Sequence, residues 1–213
     1  MDADLKSAEH EFSGTKLALV EAAFETLRKR GYAGSSAREI ARTGNLNQAL
    51  VFYHFSSVRN LLLAVLDHVS DLRIASHASR VEAAESVPEL ARLAREIYRE
   101  DVERGYTTVL NEMLAAAASD SDLGSEVMAR VEPWIRLVEQ RARDLLDGSV
   151  LSELVSPRDL AFGLVALYLG VDMLSQLDGD QTRAEGLFDL GVRLAAIAGG
   201  MLEAGTGVTH HES

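Results

Sequence analysis

Apolar residues recur at helical spacing along this chain, and no stretch of useful length alternates as a strand would. Val20, Ala23, Phe24 and Leu27 fit the i, i+3, i+4, i+7 stripe of a helix that buries one face. Three helix starts are written in full, at Ser36-Ala37-Arg38-Glu39, Ser86-Val87-Pro88-Glu89 and Ser156-Pro157-Arg158-Asp159. Each places a capping hydroxyl three residues before an acid. In the last two a proline sits in the first turn, where its missing N–H does no harm. The pattern predicts an all-α fold of about nine helices, at 15–30, 37–43, 48–55, 58–83, 88–104, 106–118, 123–147, 157–177 and 183–203. The first ten and last eight residues read as frayed. Pro133 either starts the second half of the seventh helix or kinks it.

Composition excludes several chemistries. There are no cysteines, so disulfides, thiolate metal sites and a cysteine nucleophile are out. The opening residues, Met1 to Phe12, are polar and acidic, the opposite of a secretory signal. No apolar run approaches the ~18 residues of a membrane span, so the expectation is a soluble cytoplasmic protein without a membrane partner. The formal charge of −12 argues against a nucleic-acid partner only as an average. Residues 15–66 hold Lys16, Arg28, Lys29, Arg30, Arg38, Arg42 and Arg59 against Glu21, Glu25 and Glu39, a net of +4. The remainder holds −16. A basic segment is joined to an acidic body.

Within that segment, Ser36 caps a short helix whose Ala37, Ile40 and Ala41 can face inward, leaving Arg38 and Arg42 outside. Gly44-Asn45 ends it, asparagine being the side-chain-bearing residue that best tolerates the left-handed helix stop. Leu46 can bury itself in the turn. Asn47 then caps the next helix, and two helices joined by so short a turn form a helix-turn-helix. If Val51 and Phe55 face the core, Ala49 and Tyr53 point the other way, with Leu50 and Phe52 flanking. Short aromatic helices are usually core. Here an apolar, aromatic outer face needs a partner, and the major groove of DNA fits it: apolar groups meet thymine methyls and tyrosine hydroxyls reach phosphates. Arg28-Lys29-Arg30 reads instead as a solvated helix end that suits the helix dipole.

The run GYAGSSAREIARTGNLNQALVFYHFSSVRNLLLAVL resembles the DNA-binding domain of the tetracycline-repressor (TetR) family of bacterial transcription regulators. The similarity covers about residues 15–66 without a gap. It rests on Ala22-Ala23, Gly31-Tyr32, Ser36 to Ile40-Ala41, and Val51-Phe52-Tyr53-His54-Phe55. The resemblance implies that Arg38 and Gln48 meet base edges. It assigns Ser36, Asn47, Phe52, Tyr53 and His54 to phosphate or groove, and Ala49 and Leu50 to thymine methyls. Two departures stand out: the family's turn glycine is Asn45, and its usual lysine at the start of the fourth helix is Val58. Ser57 and Arg59 complete the candidate set, Arg59 as a substitute for that lysine. The implied domains are 1–60, helix-turn-helix with a frayed tail over 1–12, and 61–213, helical, for effector binding and dimerisation.

Beyond residue 66 there is no catalytic constellation. Histidines 10, 54, 68, 77, 210 and 211 are scattered, and His-Glu-x-x-His, Gly-x-Ser-x-Gly and Gly-x-Gly-x-x-Gly are all missing. No enzyme, cofactor or metal site is expected, and His210-His211 reads as a floppy tail. The last two helices carry small residues at Gly163, Gly170, Gly191, Ala195 and Ala198. The resemblance pairs those helices across a homodimer; close packing within one subunit would use the same residues. It also places a small, unidentified effector in the middle region, where Tyr106, Asn111, Met113, Trp134, Tyr168 and Asp172 interrupt mostly apolar helices. Each of these also reads as a satisfied core polar group. The leading reading is a dimeric repressor on a palindromic operator, released by its effector. Alternatives are an effector-independent global or architectural DNA-binding protein and, behind it, a helical interaction module or enzyme.

Overall fold

The computed structural model describes the backbone of residues 2–147 and 155–206, and side chains over 14–147, 155–197 and 199–200. Among the described residues there are nine helices and no strand. They are α1 (Asp2–Gly34), α2 (Ala37–Gly44), α3 (Ala49–Phe55), α4 (Val58–Ala83), α5 (Val87–Arg104), α6 (Tyr106–Ala117), α7 (Ser121–Leu146), α8 (Pro157–Asp178) and α9 (Thr182–Thr206). The predicted starts are where the caps were read: Ser36, Ser86 and Ser156 accept from the backbone N–H of Glu39, Glu89 and Asp159 at 3.2, 3.3 and 3.3 Å. Helix α7 runs on through Pro133. One reading differs at the start of an element. Helix α1 begins at Asp2, where a frayed tail over 1–12 was expected; no proline breaks that stretch. At its other end α1 breaks at Gly31, whose backbone (φ 69°, ψ 178°) is essentially reserved for glycine.

The residues group into two compact units, and the division falls within α4, α6 and α7. One unit holds Met1–Leu72 with Thr108–Arg130, the other Arg73–Thr107 with Val131–Ser213. In the first, Leu19, Ala23, Leu27, Ile40, Val51, Leu61, Leu62, Val65, Val109 and Met113 are buried. Glu112 of α6 also reaches the break in α1, accepting the Tyr32 N–H at 2.9 Å. That N–H is an orphan created by Gly31, so the long-range acid stabilises the kink. In the second unit one cluster joins Val81, Leu93 and Ile97 with Leu90 and Leu137. Another joins Tyr98, Val171 and Ala184 with Val102, Tyr168 and Phe188, while α9 packs along α5 and touches α8.

Helix α8 is long and apolar enough to cross a membrane by length and composition, with a mean hydropathy of 1.6 over 18 residues. Its charges, Arg158, Asp159, Asp172 and Asp178, stand mostly near its ends, which leaves a long stretch of Leu, Val, Ala and Gly.

Candidate nucleic-acid interface

The turn between α2 and α3 is built by three local devices. Asn45 takes the left-handed conformation (φ 52°, ψ 44°), and its N–H closes the end of α2. Gly44 lies so close to α1 that a Cβ there would sit 2.8 Å from the Ala22 methyl. Asn47 accepts the Ala49 N–H at 2.9 Å and so caps α3 as read. Thr26 of α1 donates to the Ala22 carbonyl and pairs with Thr43 at 2.9 Å, tying α1 to α2. Ser56 ends α3 in a left-handed conformation, and α4 leaves at 67° to α3.

This frame sorts the side chains of α3. Val51 is fully buried, whereas Phe52 and Tyr53 are 54% and 72% exposed. Gln48 and Ala49 are exposed beside them, as are Ser36, Arg38 and Asn47, with Leu50 and His54 half-buried. Phe55 is half-buried under the Lys16 ammonium, 5.9 Å from its ring centre. Exposed rings on a helix of seven residues, anchored by one buried valine, form a surface for contact rather than for core.

The basic residues divide into those tied to acids and those not read that way. Glu39 binds Arg42 at 2.8 Å and Arg30 at 3.2 Å, and the Arg42 hydrogen bond holds its carboxyl below the usual carboxylate range. Glu25 binds Arg28 and Lys29, which lowers its pKa for the same reason, Arg28 first. Two candidates have structural occupations. Ser57 accepts the Asn60 N–H at 3.0 Å, a cap for α4, and Arg59 pairs with Asp120 at 3.1 Å. Asp120 in turn caps α7 through Leu123 N–H at 2.9 Å. Neither the Glu112–Tyr32 nor the Asp120–Arg59 contact carried a local signal in the sequence, because both join residues far apart along the chain.

The six effector candidates are divided between the two units. Asn111 and Met113, both buried, belong to the first unit; Tyr106, Trp134, Tyr168 and Asp172 belong to the second. Tyr106 is half-buried, with the Arg104 guanidinium 6.0 Å from its ring centre. Trp134 and Tyr168 meet around Arg73 and Asp101, two residues that sequence reasoning missed. Arg73 forks onto Asp101, with Nε at 2.9 Å and Nη2 on the second oxygen, and its guanidinium carbon lies 4.2 Å from the Trp134 ring centre. The Tyr168 hydroxyl donates to Asp101 at 2.5 Å. Burial of that hydroxyl pushes its pKa well above 10. Tyr98 stacks edge-on against Tyr168, and burial, followed by the Asp172 charge, raises its pKa to about 12. Asp172 is itself buried and accepts from Gln176 at 2.6 Å.

The proposed interface residues also separate. A Cβ added at Gly163, Gly170 or Gly191 would meet nothing within 4 Å, whereas Ala195 is buried inside its own unit. The Ala198 side chain and the His210-His211 pair lie outside the described residues.

A helix-turn-helix whose second helix presents exposed rings, at the head of an all-α chain, defines a DNA-binding helical protein. Residues 19–65 match the family described as bacterial regulatory proteins, tetR family. That match covers α2 and α3 with the adjoining parts of α1 and α4, and supports a regulator of that family. An HTH-type transcriptional repressor from Mycobacterium tuberculosis is 42% identical over 52 residues, 24% of this chain and 28% of the relative's length. Solved structures share the fold over much more of the chain. A TetR transcriptional regulator from Legionella pneumophila has a TM-score of 0.66 at 21% identity, over 84% of this chain and 95% of that one. A Saccharomonospora viridis protein in complex with choline reaches 0.70 at 17% identity, over 85% and 96%. At such identities the likeness is one of fold.

Proposed function

We propose that this protein is a homodimeric transcriptional regulator, acting in the cytoplasm, that binds a palindromic operator and is released by a small-molecule effector. The observation that carries the DNA reading is the outer face of α3. Phe52 and Tyr53 stand in solvent beside Gln48, Ala49 and Arg38. On this reading Arg38 and Gln48 meet base edges, Ala49 and Leu50 the thymine methyls. Ser36, Asn47, Phe52, Tyr53 and His54 hold phosphate or groove. Arg59 and Ser57 support α4 and act on DNA through its position. The test is to recover genomic fragments retained by the purified protein. A shared inverted repeat is expected, and retention without any common sequence would overturn operator recognition in favour of architectural binding.

Dimerisation is supported by an apolar stripe. On α8, Gly163, Leu167, Gly170, Leu174 and Leu177 follow one another in steps of four and three residues. Leu174 and Leu177 are 67% and 80% exposed. On α9, Leu187, Leu190, Leu194 and Ile197 repeat the pattern, all exposed. Leucine at heptad-like spacing next to glycine is the surface a second helix pair can approach closely. It also accounts for the apolarity of α8 without a membrane. Two reading heads spaced about 34–36 Å apart, one turn of DNA, then require the two-fold that this face would supply. Sedimentation should find a dimer; a monomer at working concentration would remove the two-fold. Effector release would act through α4, which follows α3 directly and carries Arg73. Ligand and operator must then weaken each other reciprocally, and equal ligand affinity with and without operator would exclude the coupling.

A further inference from the structure

We propose that the Asp101–Trp134–Tyr168 cluster is a binding site for a flat organic cation, an amidinium or guanidinium, and that the Arg73 side chain occupies it as an internal substitute. The inference deepens the effector reading above and rests on it only for the consequence to DNA, not for binding.

The acceptor is fixed. Asp101 is fully buried on α5 and takes the Tyr168 hydroxyl at 2.5 Å, a donor whose raised pKa keeps its proton. The cation is the exchangeable part. Its guanidinium is delivered on a long stem whose side chain is 11% exposed, and both Trp134 and Tyr168 are only half-buried. The cluster therefore has a rim at solvent. What the site recognises follows from how Arg73 sits: two parallel N–H donors forked on one carboxylate, and a planar cation face over Trp134 at 4.2 Å. Only a delocalised planar cation reproduces both features, since an ammonium has neither the fork nor the flat face. An anion of the same shape would meet the buried carboxylates Asp101 and Asp172. Phe188, half-buried beside Tyr168, supplies apolar surface next to the cluster for a ring attached to the cation.

Because Arg73 is tethered, it competes at an effective concentration in the millimolar range or above, so the wild-type protein should bind such cations weakly. Truncating Arg73 removes the competitor and leaves Asp101 in need of a cation. The experiment uses the full chain with benzamidine, its neutral counterpart benzamide, and benzoate. Binding is followed by calorimetry, thermal unfolding and the emission of Trp134, the only tryptophan. Benzamidine should raise the melting temperature of Arg73→Ala more than that of wild type and bind it about tenfold or more tightly. Benzamide and benzoate should do neither, and Asp101→Asn should abolish the effect in the wild-type background. Equal action by benzamide, or benzamidine binding that survives Asp101→Asn, would overturn the site. If Arg73→Ala does not fold alone, recovery of its fold by benzamidine but not benzamide supports the site. Failure of both to restore it, with no Asp101-dependent change in wild-type Trp134 emission, overturns it. Benzamidine that binds as described but leaves operator affinity unchanged would keep the site and remove its role as effector.

Discussion

The reading surface of α2 and α3 and the interior of the second unit use the same side chains, arginine and aromatic, to opposite ends. At the surface Arg42 and Arg30 share Glu39 in the open, and Phe52 and Tyr53 face water. In the interior Arg73 forks onto an acid with no exposed surface, between two rings. Dielectric sets the difference. Exposed pairs are screened and contribute little, so they can open whenever phosphate arrives, whereas a buried pair broken on one side leaves a desolvated charge behind. Removing the Asp101 carboxylate by Asp101→Ala should therefore destabilise the protein by about 3–5 kcal/mol in denaturant titrations. Arg28→Ala, which breaks an exposed pair with Glu25, should change stability by roughly 0–1 kcal/mol. Comparable losses in both would erase the contrast.

A second contrast lies between glycines. Gly31 holds a backbone that disfavours side chains, and a Cβ there would sit 2.6 Å from Glu112 Oε2. Gly163 has open space around it. Gly31→Ala should cost about 1–3 kcal/mol and release the Tyr32 N–H from Glu112. Gly163→Ala should leave the isolated subunit as stable or slightly more so, since alanine favours helix. It should weaken self-association if α8 pairs across a two-fold. A Gly31→Ala protein as stable as wild type would show that the kink relaxes freely.

On DNA the comparison is within one surface. Gln48→Ala and Arg38→Ala should each weaken the cognate site by roughly 1–3 kcal/mol and relax preference at one position. Tyr53→Phe should lower affinity for all sequences alike, because a phosphate contact carries no base information. Competition assays against scrambled duplexes separate the two. Uniform weakening in the first pair, or altered preference in the third, would reverse the assignments.

What the sequence made legible was local. The caps at Ser36, Ser86 and Ser156, the left-handed Asn45, and Val51 inward with Tyr53 outward all follow from interactions within a few residues. The N-terminal reach of α1 was missed because polar, acidic composition was read as fraying. The span-like apolarity of α8 does not show as a continuous run because Asp172 splits it. Residues paired at a distance were out of reach. Glu112 meets Tyr32, Asp120 meets Arg59 and Asp101 meets Arg73 and Tyr168 only once the helices pack, and no periodicity marks such partners. Among the effector candidates the aromatic and polar interruptions were visible, but the contacts of Trp134 and Tyr168 with Arg73 and Asp101 were not.

The smallest effect is expected at His77, next to that cluster, and its sign discriminates burial from charge. His77 is 3% exposed, with the Arg80 guanidinium 3.4 Å from Nδ1 and Glu100 3.8 Å from Nε2. Burial lowers its pKa; Asp101 and Glu100 pull it upward, and Arg73 and Arg80 push it further down. The unfolded chain takes up this proton near pH 6.5, while the folded protein resists until lower pH. In that window the unfolded state holds more protons, so stability falls as pH drops below about 6.5 and stops falling once the folded histidine titrates. Glu25 and Glu39 have lowered pKa values, so their contribution is lost only in the lower, carboxylate range. Denaturant titrations between neutral pH and about pH 5.5 should show wild type losing stability relative to His77→Gln, which cannot take a proton. If wild type instead gains on acidification, attraction to Glu100 and Asp101 outweighs burial.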